Sequence, residues 1–127
     1  MSHEVRLYFY SYVKAGVDRK TGKGEGLLEI SRIMSGKVLK DDIKKYHIRI
    51  YKFFTNEQEN AMIQENVMIF LEEMFAKFNS EENPLSALKY QKKIKEMLAH
   101  TSMSVGDVIQ IDNDYYVVKG MGFKKLD

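Results

Sequence analysis

Apolar and polar residues alternate at both ends of the chain, and a period of two predicts β-strands. Near the N-terminus the alternation covers residues 4–13, and it resumes over 25–33 after a glycine-rich loop. We therefore predict a long-looped β-hairpin that pairs these two segments. The apolar residues of the second segment also have helical spacing, so a short helix over 26–34 is the alternative.

The middle of the chain changes to the spacing of amphipathic helices, with apolar residues three or four positions apart. Thr55 or Asn56 is a suitable N-cap for the first such helix, which we expect to continue to Phe78. Asn83 followed by Pro84 predicts the start of a second helix, which packs on the first as an antiparallel pair. The other predicted elements are a helix over 38–46 and strands over 47–54, 108–111, 115–119 and 123–126.

The predicted element order is ββαβ–αα–βββ, which assigns the chain to the α+β class. We expect one or two small antiparallel sheets packed on the antiparallel helix pair. Residues 1–46 are predicted to form an N-terminal β-hairpin module with a short helix, and residues 47–127 an α+β domain. One continuous core shared by the two segments is the alternative.

The composition is that of a soluble globular protein of one domain. The 127 residues include 44% hydrophobic and 30% charged side chains, and a chain of this length supports one domain-sized core. The absence of cysteine excludes disulfides and thiolate chemistry, and it suits a reducing compartment. Because the chain has no bilayer-length apolar run and no signal-peptide pattern, we predict a cytoplasmic protein without a membrane partner.

The charges are unevenly distributed along the chain, although the net charge is only +2. Residues 1–54 carry 12 basic and 6 acidic side chains, whereas residues 55–82 carry 7 acidic side chains and a single lysine. Such a chain either neutralises itself internally or presents surfaces of opposite charge to its partners.

The C-terminal sequence SMSVGDVIQIDNDYYVVKGMGFKKL, from Ser102 to Leu126, resembles the closing motif of the YodL-like family. The segments HIRIYKFF and FLEEMFAKFNSEENP are also similar to that family, so the resemblance covers about residues 47–127. Residues 1–46 have no counterpart, and residues 85–100 look like an inserted or extended helix. The family has no assigned catalysis or ligand, so the resemblance implies a phage or mobile-element origin and an accessory regulatory role.

The motifs that carry catalysis or bind cofactors are incomplete in this chain. Gly22-Lys23 lacks the other residues of a P-loop, and Asp112-Asn113-Asp114 lacks the later ligands of a calcium loop. The three histidines lack metal-ligand spacing. Ser102 lies near His100, but no acid that could orient this histidine is evident. We therefore predict no catalytic residue, no cofactor and no metal, and a protein that is not an enzyme.

Tyrosines and basic residues are interleaved in the N-terminal segment, and together they form the candidate partner-binding site. Its residues are Arg6, Tyr8, Tyr10, Tyr12, Arg19, Lys20 and Lys23. Such side chains anchor protein interfaces, and the same combination stacks bases and neutralises phosphates. A third interpretation is that helices cover the tyrosines, which then belong to the core.

We therefore predict a small accessory protein, encoded by a phage or mobile element, that acts by binding a host protein. Nucleic-acid binding through the tyrosine-rich hairpin is the first alternative. An unrecognised enzyme or small-ligand binder is the second. The sequence leaves the oligomeric state open, a homodimer included.

Overall fold

The chain forms seven strands and six α-helices, and the computed structural model describes residues 1–127. The predicted α+β class is confirmed. In chain order the elements are β1 (Glu4–Tyr10), α1 (Tyr12–Ala15), β2 (Val17–Asp18), β3 (Lys23–Gly24), α2 (Leu27–Met34), α3 (Lys40–Tyr46), β4 (His47–Phe54), α4 (Glu57–Glu65), α5 (Val67–Lys77), α6 (Leu88–Glu96), β5 (Val108–Ile111), β6 (Asp114–Val118) and β7 (Phe123–Lys125). A single 3-10 turn, Pro84–Ser86, precedes α6.

Five of the strands form one antiparallel sheet in the order β4-β1-β5-β6-β7. The N-terminal strand β1 therefore lies between β4 and β5, so residues 1–46 and 47–127 contribute strands to the same sheet. Leu7 is opposite Tyr51 and Tyr8 is opposite Arg49, which leaves Ile50 as an extra residue on β4. A bulge of this kind bends the strand that carries it.

The predicted hairpin between 4–13 and 25–33 is wrong, and the alternative short helix is what the chain forms. Helix α2 buries Ile30 and Ile33 at 1% and 0% exposure, while Leu28 is 81% exposed. Helical spacing thus describes this segment, because a strand with period two would have placed Leu28 and Ile30 on one face. β1 instead pairs with two strands that are distant in sequence.

The predicted helix from 55 or 56 to 78 is divided into α4 and α5 at Asn66. The Asn66 backbone N–H donates to the Met62 carbonyl at 2.9 Å, and its side-chain oxygen accepts from the Met68 N–H at 3.0 Å. Asn66 therefore ends one helix and caps the next, as asparagine does at helix N-termini. None of the helices combines the length and apolar character that a membrane crossing requires.

The two faces of the sheet are covered by two separate hydrophobic clusters. Val5, Leu7 and Phe9 of β1 belong to the larger cluster, which also contains the buried residues of α5 and α6. Tyr10 belongs to the smaller cluster, which contains residues of α1, α2 and α3. Because successive side chains of a strand point to opposite faces, β1 contributes to both clusters.

Candidate functional site

The seven candidate residues of the N-terminal segment do not form one exposed row. Arg6 and Tyr8 lie on β1 and are half-buried, Tyr10 is 8% exposed, and Tyr12 lies on α1. The strand predicted over residues 4–13 ends at Tyr10, so Tyr12 does not share the strand face of Tyr8 and Tyr10. The chain leaves the strand at Ser11, which caps α1 by accepting from the Lys14 N–H at 3.2 Å.

The side chain of Tyr10 belongs to the core rather than to a binding surface. Its ring centroid lies 4.4 Å from that of His100 and 6.3 Å from that of Tyr12. Burial raises the pKa of Tyr10 to about 12, and the negative charge of Asp107 adds to this shift. The interpretation in which helices cover the tyrosines therefore holds for this residue.

We expect Tyr10→Ala to destabilise the fold, because it removes a buried ring from the smaller cluster. A loss of about 2–3 kcal/mol in the free energy of unfolding is expected, and Tyr12→Ala should cost about 1 kcal/mol or less because its ring is half-exposed. Urea unfolding followed by circular dichroism measures both. Equal stability of Tyr10→Ala and the unchanged protein would contradict this placement.

The remaining candidate residues divide into two groups. On the sheet, Arg6 forms an ion pair with Glu4, and the Tyr8 hydroxyl donates to Gln110 at 2.8 Å. Near α1, the Arg19 guanidinium lies 5.6 Å from the centroid of the Tyr12 ring. Lys20 and Lys23 are exposed on or beside the two-stranded β2–β3 hairpin.

A different basic surface lies along β4, the edge strand of the sheet that is next to α6. A groove of about 320 Å³ separates the two elements, and we call it the β4 groove. Its lining residues are Arg49, Ile50, Tyr51, Lys52, Lys89, Tyr90 and Lys93.

The charged residues that line the β4 groove are all basic. Arg49, Lys52, Lys89 and Lys93 are exposed, and the five ion pairs of the structure involve other residues. Partial burial lowers the pKa of nearby Lys14, and the positive charge of Lys93 lowers it further. Four cations without acidic partners produce a positive potential that attracts an anionic ligand.

Two tyrosine rings form the less polar part of the β4 groove. The ring centroids of Tyr51 and Tyr90 are 5.4 Å apart, and the Tyr51 ring also meets Phe78 of the larger cluster at 5.4 Å. Burial raises the pKa of the Tyr51 hydroxyl, and the neighbouring Tyr90 adds to the shift. Both rings are half-buried, so each presents part of its surface to a ligand.

Lysine ammonium groups cover main-chain carbonyls along the open side of β4. Lys14 Nζ donates to the carbonyl oxygen of His47 on β4 and to that of Lys44 in α3, both at 2.7 Å. Lys93 Nζ donates to the carbonyl oxygen of Arg49 at 3.0 Å. These carbonyls are therefore satisfied by exposed side chains and not by another strand.

The β4 groove could not be predicted from the sequence because its two sides are far apart in the chain. Lys93 and Arg49, which meet through the Nζ–O hydrogen bond, are 44 residues apart. One signal was present in the sequence, since Lys89 and Lys93 are spaced i, i+4 on one face of the predicted second helix.

His100 does have an orienting acid, so the statement that none is evident is wrong. Asp107 is fully buried, its carboxyl group lies 2.6 Å from His100 Nε2, and it accepts from the Ser104 N–H at 2.7 Å. The same carboxylate accepts from the Tyr10 N–H at 3.2 Å. Burial raises the pKa of Asp107, and the hydrogen bond from His100 opposes that shift. The carboxylate connects β1 to the turn before β5.

Comparison with known proteins identifies a viral relative. No family model matches the chain, and no solved structure matches it. An uncharacterised protein of Acanthamoeba polyphaga mimivirus, R785, is 40% identical over 83 residues, which cover 65% of this chain and 71% of the viral protein. At this identity and coverage, the chain belongs to the same family as the mimivirus protein R785.

Proposed function

We propose that this protein is a non-enzymatic accessory protein that binds an acidic segment of a host protein in the β4 groove. The observation that carries the proposal is the set of four exposed cations, free of acidic partners, that line this groove. Carboxylates of a partner are the simplest complement to such a set, and basic surfaces accelerate the encounter with acidic partners.

One observation and one prediction support an accessory role. The relative R785 is encoded by a virus, which agrees with the viral or mobile-element context expected of such a protein. Membership of the YodL-like family, inferred from the C-terminal motif, stays a prediction, and it agrees with a mobile-element or viral origin. Neither identifies the partner, so the chemical class of partner is inferred from the groove.

Nucleic-acid binding is the second candidate function, and one specific observation favours it. The half-buried rings of Tyr51 and Tyr90 lie among lysines and an arginine. Proteins that bind single-stranded nucleic acids use this combination, in which aromatic rings stack on bases and basic side chains contact phosphates. We place it second because the net charge is only +2, whereas nucleic-acid-binding domains are commonly strongly basic.

Capture from a lysate of host cells, with and without nuclease, tests the proposed function. We expect a stoichiometric protein partner that stays bound after nuclease treatment and is released by excess soluble poly-glutamate. Release by poly-glutamate is expected because the polymer competes for the same cations. Loss of every partner on nuclease treatment would contradict protein binding and favour the second candidate.

A further inference from the structure

We infer that the β4 groove takes its partner as an added β-strand on the open side of β4, and that Lys14 and Lys93 make this addition selective for acidic segments. The inference rests on the proposed function, because it specifies how the acidic segment is held. Strand addition is a common way in which an exposed sheet edge binds an extended peptide.

The open side of β4 has the main-chain groups that strand addition needs. Tyr46 and Thr55 flank the strand, and both direct backbone groups to the N-terminal segment. The Tyr46 carbonyl accepts from the Ser11 N–H and the Thr55 N–H donates to the His3 carbonyl, both at 2.9 Å. Backbone groups alternate in direction along a strand. His47 and Arg49 therefore direct their carbonyls away from β1, which is where the lysine amines contact them.

The lysine amines occupy the positions that a partner's N–H groups would take. Exposed edge strands are a liability, and lysines that cover them are a common protection against unwanted pairing. Lys14 and Lys93 are themselves exposed. A carboxylate on the incoming strand gives each amine a stronger, charge-assisted acceptor than a carbonyl. The carboxylates of an acidic segment therefore draw the lysine amines away from the carbonyls, and the N–H groups of the segment pair with the carbonyls in their place. A neutral segment has no carboxylates, so the amines stay on the carbonyls.

The two sides of β4 also specify the pattern of the partner. Arg49 and Lys52 are opposite Tyr8 and Arg6 in the sheet, so they share one face, whereas Tyr51 points to the other face with Tyr90 of α6. Side chains of an added strand alternate between these faces. The matching segment alternates acidic residues, which meet Arg49 and Lys52, with apolar residues, which meet the tyrosine rings.

The other edge of the sheet does not offer the same site. β7 has three residues, and two of them, Lys124 and Lys125, are exposed. β4 has eight residues, which is long enough for a ladder of several hydrogen bonds. The inference is therefore specific to β4.

Fluorescence anisotropy with synthetic ten-residue peptides tests the inference on the full chain. The parent peptide alternates glutamate and valine, and two derivatives carry N-methyl groups on one or the other alternate set of peptide nitrogens. We expect the parent to bind, and one methylated derivative to bind at least about tenfold more weakly while the other stays within about threefold. Only one set of N–H groups faces β4 in an added strand, which is the reason for this difference.

The failures of the two proposals are distinguishable in this experiment. If the parent binds and both methylated peptides bind within about threefold of it, strand addition is overturned and the proposed function stands. If the parent does not bind at near-physiological salt but an oligouridine of similar length does, both are overturned in favour of nucleic-acid binding. Absence of binding by either probe overturns the use of the β4 groove altogether.

The variant Lys93→Met tests the guarding role of Lys93, by which its amine keeps the Arg49 carbonyl from pairing with a neutral strand. A peptide that alternates glutamine and valine should bind the unchanged protein weakly, and Lys93→Met should strengthen its binding by about threefold or more because the Arg49 carbonyl is uncovered. Lys92→Met, next to it on α6 and outside the groove lining, is the matched control and should change nothing. Equal effects of the two variants would overturn the guarding role.

Discussion

Replacing Phe70 by alanine is expected to destabilise the protein by about 3–5 kcal/mol, because the ring is deleted from a packed core. Phe70 has 0% exposure and belongs to the larger cluster, between α5 and the sheet. A loss of this size is a large share of the stability of a small domain. Urea unfolding should show a lower midpoint with an unchanged slope.

Phe75 on the same helix provides the matched control for this prediction. Its ring is 37% exposed and meets Phe123 at a centroid distance of 6.4 Å. Phe75→Ala should therefore cost about 1 kcal/mol. If Phe70→Ala left the melting temperature unchanged, or cost no more than Phe75→Ala, the buried face of α5 would have been assigned wrongly.

Reversing the two α6 charges of the β4 groove is expected to weaken binding of the acidic partner by about 30- to 100-fold, which is ~2–3 kcal/mol. The variant combines Lys89→Glu and Lys93→Glu, and each glutamate replaces a positive charge of the groove by a negative charge that repels the acidic partner. Both lysines are exposed, so the fold should be retained. Anisotropy with the glutamate–valine peptide measures the loss.

The control for the charge reversal lies on the same helix. Lys92→Glu combined with Lys95→Glu makes the same change in net charge, and these two exposed residues are not part of the groove lining. We expect binding within about threefold of the unchanged protein, since exposed charges away from a site act weakly through screening solvent. Similar losses in the two variants would show that net charge, and not the groove, determines binding.

Elements with an unambiguous local period were predictable from the sequence. The strand over 47–54 was predicted with the bounds that β4 has, and the strand over 108–111 matches β5. In both cases β-branched and aromatic residues are concentrated in a short segment. The segment over 25–33 was mispredicted because a short apolar run fits both periods, and only its packing distinguishes them.

The partners of β1 were not predictable from local pattern. Val5 is opposite Phe53 on one side and Ile111 on the other, and both contacts join distant parts of the chain. Strand pairing of this kind depends on the whole fold and leaves no trace in the spacing of nearby residues. Local pattern therefore predicts the nearest apolar segment, residues 25–33, as the partner of the first strand.

Prediction of the candidate site from the sequence was limited by the same dependence on tertiary structure. The tyrosines of residues 8–12 looked equivalent in sequence, but the strand ends at Tyr10 and its ring enters the core. Arg49 and Lys93 looked like separate surface charges, and only the placement of α6 beside β4 brings them together. His100 and Asp107 meet through a turn that the strand period does not describe.

Chemical-shift mapping of backbone amides during titration with the glutamate–valine peptide tests the central claim most directly. The β4 groove predicts that the largest changes fall on His47–Phe54 and Leu88–Glu96, the two elements that form it. Changes concentrated instead at residues 12–24, around Tyr12, Arg19 and Lys23, would contradict the claim and return the binding site to the basic N-terminal segment.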